Sequence, residues 1–292
     1  MFQSLICLLT GKEKSASVLM DTVNDSLVRS LGGVGFVIYN ASTWMWYHYV
    51  LWVGVVLLGL ELLAQIVLSL GYVVPESRRI ERGAKRLETL SWLDLAFISF
   101  NKLSTTVFTY HLMVYCCATQ TPVVWKLEEF SLVGAFGHLV LLFVIYDFFY
   151  TLWHRFLHLK WIYPYIHKHH HRQYAPFRGN TDAVNVHPIE FVVGEYDHLF
   201  SIFLLASMLS MVPSLSNLHV YTIAAFIVVG GFLASLNHTR FDIRFPLFNV
   251  IYQVRYHDYH HFNGAQTNYG QYIMFWDYIM GTFREPTSKK LN

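Results

Sequence analysis

The chain has 292 residues, of which 54% are hydrophobic, 17% aromatic and only 14% charged. A soluble domain carries about 25% charged residues, so this composition argues against a water-soluble globule and equally against a disordered chain. Lys and Arg number 21 and Asp and Glu 19, a balance that gives no reason to expect nucleic acid as a partner. Histidine is the unusual component, because its 16 residues nearly equal all the acidic residues together.

The first half of the chain contains two apolar stretches that are predicted to cross a membrane, a task that takes about 20 residues. Residues 44–70 begin with several Trp and Tyr side chains, which is typical of a membrane interface, and residues 103–119 form the second crossing. Between them, residues 78–86 are the densest basic stretch, which the positive-inside rule places in the cytosol.

The second half of the chain alternates between apolar and polar segments. Residues 130–153 are predicted to return to the cytosolic side, and residues 154–196 are polar, rich in histidine and interrupted by prolines. The apolar stretches 199–211 and 218–236 predict a membrane hairpin that enters and leaves on one side, because the first stretch is short. The rest of the chain is then cytosolic as well.

Ten histidines fall at or beyond the predicted cytosolic helix ends, and their spacing is regular. Two groups read His-x-x-His-His, and another pair is four residues apart. Positions three and four apart lie on one face of an α-helix, so several imidazoles from one helix can reach a common metal ion. One structural zinc takes only four ligands, so the number of imidazoles favours two ions, and imidazole suits iron, zinc, copper or nickel. The candidate ligands are His154, His158, His167, His170, His171, His187, His238, His257, His260 and His261.

Asp147 is a candidate partner of a ligand imidazole. It precedes His154 by seven residues and His158 by eleven, which places all three near one helix face. Its carboxylate is expected to accept the Nδ1 proton of one of these imidazoles and so to fix its tautomer. An ordinary buried polar contact is the alternative.

The remaining histidines are interpreted as structural. His169 is off the register of the first His-x-x-His-His motif and is expected to face solvent. The others lie in or beside apolar segments without a partner at ligand spacing, namely His48, His111, His138, His198 and His219.

Several motifs follow one another between residues 140 and 285. They are Asp147-x6-His154-x3-His158, HKHHHRQYAPF from His167, HPIE from His187, NHTRFDI around His238, YHDYHHFN from Tyr256 and NYGQYIMFWDYIMGTF from Asn268. In this order they resemble the fatty acid hydroxylase / sterol desaturase superfamily of membrane di-iron enzymes, and their wording is most similar to C4-methylsterol oxidases. Two departures from the family pattern are Tyr174, which interrupts the Gln-Ala-Pro run, and Ala234, which stands where some members have a histidine. His187 is proposed to supply the missing imidazole.

The resemblance implies a lipid oxygenase, with a sterol as the leading substrate class. Two irons held by the histidines would activate O2 to attack an unactivated C–H bond, and no catalytic residue beyond the metal ligands is implied. Electrons would come from NAD(P)H through cytochrome b5 or a similar donor with its reductase, because the chain has no flavin or nicotinamide fingerprint.

Several alternatives remain open at this point. Within the superfamily they are a fatty acid or sphingolipid hydroxylase and a sterol desaturase. From other classes they are a histidine-rich metal transporter, which would place its ligands within the membrane spans, and a non-catalytic lipid-binding scaffold.

The predicted fold is an all-α, polytopic membrane helical bundle with a cytosolic, histidine-rich helical cap that holds a dimetal site. The Lys289-Lys290-Leu291-Asn292 ending matches a dilysine retrieval signal, so we expect the endoplasmic-reticulum membrane, with the histidine motifs and this tail in the cytosol. The predicted units are an N-terminal segment (1–43), N-terminal membrane helices with a basic loop (44–131), a hydroxylase-like catalytic domain (132–285) and the tail (286–292).

Overall fold

The computed structural model describes residues 45–80, 87–117, 121–212, 215, 217–244, 252–263 and 266–286. The N-terminal segment, residues 81–86 of the basic loop and the dilysine tail lie outside the described residues. The α-helices of the described part are α1 Trp46–Ser69, α2 Trp92–Cys117, α3 Leu132–Leu157, α4 Asn180–Ala183, α5 Pro188–Ser210, α6 Val220–Asn237, α7 Val254–Asn263 and α8 Phe275–Ile279. Two short strands, β1 Val123–Val124 and β2 Leu218–His219, pair in parallel, with Val123 opposite Leu218.

Four helices are long enough and apolar enough to cross a membrane, namely α1 with its 3-10 extension to Tyr72, α3, α5 and α6. Their outer faces carry large apolar side chains. On α1, for example, Val55, Leu58, Leu62 and Ile66 are exposed and recur at three- and four-residue intervals along one stripe. Such a continuous exposed apolar surface is typical of lipid contact. The chain is therefore a helical membrane bundle, as the sequence predicts.

Helix α2 differs from the crossing predicted at residues 103–119. It begins at Trp92 and is not among the four apolar helices of the described chain. Its Asn101 is fully buried and donates hydrogen bonds to the backbone carbonyls of Val184 and Val186, at 2.8 and 2.9 Å. The polar residues of α2 thus hold the segment that precedes α5.

The first helix of the predicted hairpin is longer than the sequence indicates. Helix α5 begins at Pro188 and has 23 residues, while α6 has 18, and both are long enough to cross. Pro188 occupies the first helical turn, where its missing N–H costs nothing. Polar residues lower the hydropathy of the first turns of α5, so the apolar stretch in the sequence begins later than the helix. These polar residues point into the bundle. Glu195, for instance, accepts a hydrogen bond from Thr105 on α2 at 2.5 Å.

The helices pack so that one end of the bundle collects the polar motifs. Helix α3 contacts α5 and α6, α1 contacts α2 and α6, and fully buried Leu142, Ile202 and Phe226 lie at the centre. The last turn of α3, the first turn of α5 and the end of α6 meet at the same end of this core. Helices α7 and α8 pack there against α6 and α3 respectively.

Candidate metal centre

Nine of the ten histidines nominated by the sequence converge in two adjacent clusters. Within each cluster the available ligand nitrogens all lie within 4.8 Å of one another, and all nine residues are buried. We call them the first and second clusters. The first contains His154, His158, His167, His171 and His260, and the second contains His170, His238, His257 and His261.

Each His-x-x-His-His motif contributes to both clusters. In the first motif, His167 and His171 belong to the first cluster, and His170 belongs to the second. The second motif reverses this assignment, because only His260 points to the first cluster. Within each motif, the two histidines that are four residues apart lie in the same cluster, and the remaining histidine lies in the other cluster. The expectation that one helix face shares a common ion therefore fits that pair and does not fit the remaining histidine. Only the second motif lies on an α-helix, since the first runs through turns that end in the 3-10 helix His170–Arg172.

Backbone carbonyls place the proton of three imidazoles on Nδ1. A carbonyl oxygen only accepts hydrogen bonds, so the facing Nδ1 must donate. Nε2 of the neutral ring then keeps its lone pair for a metal ion. The contacts are His154 Nδ1 to the Tyr269 carbonyl (2.8 Å), His238 Nδ1 to the Ala234 carbonyl (2.8 Å) and His260 Nδ1 to the Thr267 carbonyl (2.7 Å).

Glu190 places the proton of a fourth imidazole, that of His167, on Nδ1. The sequence analysis did not identify Glu190 as a site residue. Its Oε1 lies 2.8 Å from Nδ1 of His167, and Glu190 is buried in the first turn of α5. The available signal was its place in the HPIE motif, three residues after His187. Glu190 fixes the tautomer of a cluster imidazole, the role that the sequence assigned to Asp147.

The ring nitrogens face one another at distances that suit a shared cation. Nε2 of His154 lies 3.0 Å from Nε2 of His167, although both rings carry their proton on Nδ1. Two lone pairs thus meet in a buried site, and a cation between them removes the repulsion. Nitrogens bound to one ion at about 2.1 Å are about 3.0 Å apart at a right angle and about 3.4 Å apart at the tetrahedral angle. The other Nε2 pairs within the clusters are His167 and His171 (3.0 Å), His158 and His260 (3.3 Å), His257 and His261 (3.1 Å), and His238 and His257 (3.3 Å).

Burial also keeps these imidazoles in the neutral form that binds metal. Desolvation, with a smaller contribution from neighbouring His260, lowers the pKa of His158 to about 3. Desolvation lowers the pKa of His260 to about 4 and holds the pKa values of His171 and His261 well below the ordinary value. Protons therefore compete little with a metal ion for these ring nitrogens. The imidazoles of each cluster fit a metal ion.

An apolar cavity of about 830 Å³ reaches both clusters from within the bundle. Its wall consists mainly of apolar side chains from the helices, such as Leu112 and Ile223. His154 of the first cluster and His170 and His238 of the second also line it. An apolar molecule in this cavity would contact both clusters.

The site lies in a segment that matches a known family. Residues 139–282, which contain all nine clustered histidines, match the family model described as fatty acid hydroxylase. Over these residues, the chain is similar to the fatty acid hydroxylase family. No solved structure matches the chain.

Three curated relatives match about half of the chain. Methylsterol monooxygenase 1 of Rattus norvegicus is 33% identical over 142 residues, 48% of this chain and 44% of the relative. Methylsterol monooxygenase 1-3 of Arabidopsis thaliana is 29% identical over 52% of this chain and 50% of the relative. Sphingolipid C4-hydroxylase sur2 of Schizosaccharomyces pombe is 28% identical over 58% and 55%. The matched region spans about half the length of each of these relatives.

Asp147 of the family segment does not contact an imidazole, contrary to the prediction. Its fully buried carboxylate accepts hydrogen bonds from the backbone N–H groups of residues 271–273 at 2.5–3.1 Å. Helix periodicity places Asp147 on the same face as His154. The segment that follows α7 also lies along this face, and its N–H groups occupy the carboxylate oxygens of Asp147. That segment also carries Tyr269, whose carbonyl binds His154, so Asp147 supports the site through the backbone.

His187 belongs to neither cluster, so the proposal that it supplies a missing imidazole is wrong. It caps α5, because its Nδ1 accepts a hydrogen bond from the N–H of Ile189 at 3.2 Å. Its ring packs edge-on against Phe97 of α2, with 5.3 Å between the ring centroids. The capping contact turns the ring away from both histidine clusters.

His169 is not directed to solvent as expected. Its Nε2 lies 2.9 Å from Oδ1 of Asn185 and 3.1 Å from Oδ1 of Asp94. Arg172 also binds Asp94, at 3.3 Å. These contacts fasten the first histidine motif to the beginning of α2, with the ligand residues on either side of His169 free to turn towards the clusters.

The metal-free protein is expected to lose stability as the pH falls below the ordinary histidine pKa of 6.5. Above that pH, these imidazoles are neutral in both the folded and the unfolded chain. Below that pH, the imidazoles of the unfolded chain bind protons. In the folded chain, His260 and His158 stay neutral until the pH approaches their lowered pKa values of about 4 and about 3. Thermal unfolding of chelator-treated protein at about pH 7.5 and about pH 5 measures the effect. An equal or higher unfolding temperature at the lower pH would contradict it.

Proposed function

We propose that the protein is a membrane-bound di-iron oxygenase that acts on a lipid, most closely a sterol. The observation that carries the proposal is the pair of buried, all-imidazole clusters at the end of an apolar cavity. The fatty acid hydroxylase family is iron-dependent, which favours iron over the other metals that imidazole suits. The nine clustered histidines are the proposed ligands, one iron to each cluster.

The protein residues have distinct tasks in this proposal. The bound irons would activate O2 for attack on an unactivated C–H bond, with electrons from the donor. The Nδ1 contacts of His154, His167 and His260 hold the rings in the orientation that directs Nε2 inwards. The apolar helix faces orient the lipid and exclude water from the reacting carbon.

The partners and location follow from the same proposal. Electrons would come from cytochrome b5 or a similar donor with its NAD(P)H reductase. The protein would reside in the endoplasmic-reticulum membrane, with the clusters on the cytosolic side. The names of the relatives support a sterol substrate first and a sphingolipid substrate second, and a fatty acid hydroxylase or sterol desaturase would use the same site.

Two alternatives of other classes predict different behaviour. A metal transporter needs its ligands along the membrane path, whereas here they gather at one end of the bundle. A non-catalytic scaffold needs no clustered imidazoles with fixed tautomers. Metal flux in proteoliposomes tests the first alternative, and the absence of an oxidised lipid product in cells would support the second.

Purified protein is expected to contain about two irons per chain. With a methylsterol and a reduced electron donor, it should consume O2 and form an oxidised lipid, because the clusters and the cavity place metal and lipid together. The matched control is the same preparation after chelation, which should bind lipid without consuming O2. An iron-loaded preparation that oxidises neither sterols nor sphingolipids would contradict the proposal.

A further inference from the structure

The apolar cavity has an exposed border on one flank of the bundle. Among the described residues that line the cavity, those contributed by α2, α3 and α5 are buried or only partly exposed. The exposed ones lie on two other helices, namely Leu51, Val55, Gly59, Leu62 and Ile66 on α1 and Val228 on α6. The cavity therefore opens to the surface between α1 and α6.

The contacts of α1 explain why the opening lies on this flank. Towards α2, α1 is held by a hydrogen bond from Nε1 of Trp52 to the carbonyl of Thr106, at 3.0 Å. Towards α6, α1 packs closely only near the clusters, where a Cβ atom on Gly231 would lie 3.2 Å from Cδ2 of Leu63. One turn before Leu63, a Cβ atom on Gly59 would have no neighbour within 4 Å. The two helices therefore leave free space at Gly59.

The opening lies at the depth of the membrane interior. Both α1 and α6 are among the four helices that are long and apolar enough to cross a membrane. Gly59 is about 15 Å from the end of α1 at Ser69, and Val228 is about 14 Å from the end of α6 at Asn237, at the helical rise per residue. The hydrocarbon core of a bilayer is about 30 Å thick. The opening therefore faces lipid chains and not water.

We propose that the opening between Gly59 and Val228 is the passage through which a lipid of the bilayer enters and leaves the cavity. The occupant is a lipid because the border of the opening is apolar and is continuous with the exposed stripe of α1 that contacts lipid. A lipid can thus reach the clusters without crossing water. The inference rests on the proposed function for its lipid substrate and adds the route of that substrate.

A bulky side chain at Gly59 tests the passage, and α1 offers a matched control. Gly59→Phe places a ring in the free space at the border of the cavity. Gly54 is also exposed on α1 and also has no neighbour within 4 Å of a Cβ atom, but it does not line the cavity. Gly54→Phe therefore makes the same chemical change with the same gain in helix propensity, away from the opening.

The measurement is the rate at which fluorescent lipids exchange with the cavity of the full chain in detergent. The probes are dehydroergosterol and cis-parinaric acid, which accept excitation energy from tryptophan, and Trp52 and Trp153 line the cavity. With Gly59→Phe, association and dissociation should both slow by at least about tenfold while the affinity stays within about threefold, because an obstacle in the passage slows movement in both directions. Gly54→Phe should leave both rates unchanged.

Val228→Phe repeats the test from the opposite helix and should slow both rates in the same way. Exchange as fast as in Gly54→Phe for both variants would overturn the inference. Faster dissociation with weaker affinity would also overturn it, because these positions would then belong to the binding seat and not to the passage. Failure of the wild-type protein to take up either probe would overturn it as well.

A photoreactive benzophenone side chain at position 59 identifies the occupant of the opening in native membranes. Mass spectrometry should find it crosslinked to lipid. Crosslinks to residues 1–44 of the same chain or to a second copy would overturn the inference, because protein would then cover the opening.

The exchange rates require neither O2 nor an electron donor, so they separate this inference from the proposed function. Slowed exchange in variants of a protein that holds no iron and consumes no O2 would support the passage while the oxygenase proposal fails. An active oxygenase whose probe exchange is unaffected by Gly59→Phe and Val228→Phe would retain the proposed function and exclude the passage.

Discussion

Replacing a histidine of either cluster with alanine should lower the iron content from about two ions per chain to about one or none. His171→Ala tests the first cluster and His261→Ala the second. Both side chains are buried, and the Nε2 of each faces another cluster imidazole, His167 for His171 and His257 for His261. Their Nδ1 atoms have no hydrogen-bond partner among the described residues. Lipid oxidation should fall by more than about a hundredfold, because loss of a metal ligand is more damaging than loss of a residue that only supports a ligand, which typically costs about 10- to 100-fold in activity. Metal analysis and product formation measure the two effects.

His187→Ala is the matched control for this prediction. The sequence nominated this residue alongside the others, yet the structure places it at the N-cap of α5. The substitution should retain the iron and cost only a helix cap, about 1 kcal/mol. The assignment of the clusters is wrong if His187→Ala loses iron while His171→Ala and His261→Ala keep it.

Asp147→Ala is expected to destabilise the protein by about 3 kcal/mol or more. The change leaves the buried N–H groups of residues 271–273 without their acceptor, and the neighbouring carbonyl of Tyr269 loses its position against His154. Iron should therefore be lost at a lower temperature than in the wild-type protein. Thermal unfolding in detergent, followed together with iron release, measures both consequences.

Thr151→Ala provides a control on the same helix. Thr151 is fully buried one turn further along α3, but its hydroxyl has no hydrogen-bond partner among the described residues. Its removal should change the unfolding temperature little. Equal unfolding temperatures for Asp147→Ala and Thr151→Ala would show that the backbone contacts of Asp147 contribute nothing to stability.

The failures of the sequence reasoning share a physical origin. The position of Asp147 on α3 is readable from helix periodicity, but its partners lie more than 120 residues away in the chain, and only packing brings them there. The sequence analysis cites Glu190 only within the HPIE motif, and it nominates His187 because Ala234 stands where some members of the family have a histidine. The direction of each side chain depends on the helices around it.

The sequence by itself predicted the helical membrane bundle and ten histidines, of which the structure brings nine together, because long apolar stretches and imidazoles at regular spacing are local features. The tertiary structure alone decided how these histidines divide. It assigned His170 and His260 to the clusters opposite those of their motif neighbours, and it made Glu190 a supporting residue. Each of these results depends on contacts between segments that are distant in the chain, and residue spacing carries no information about such contacts.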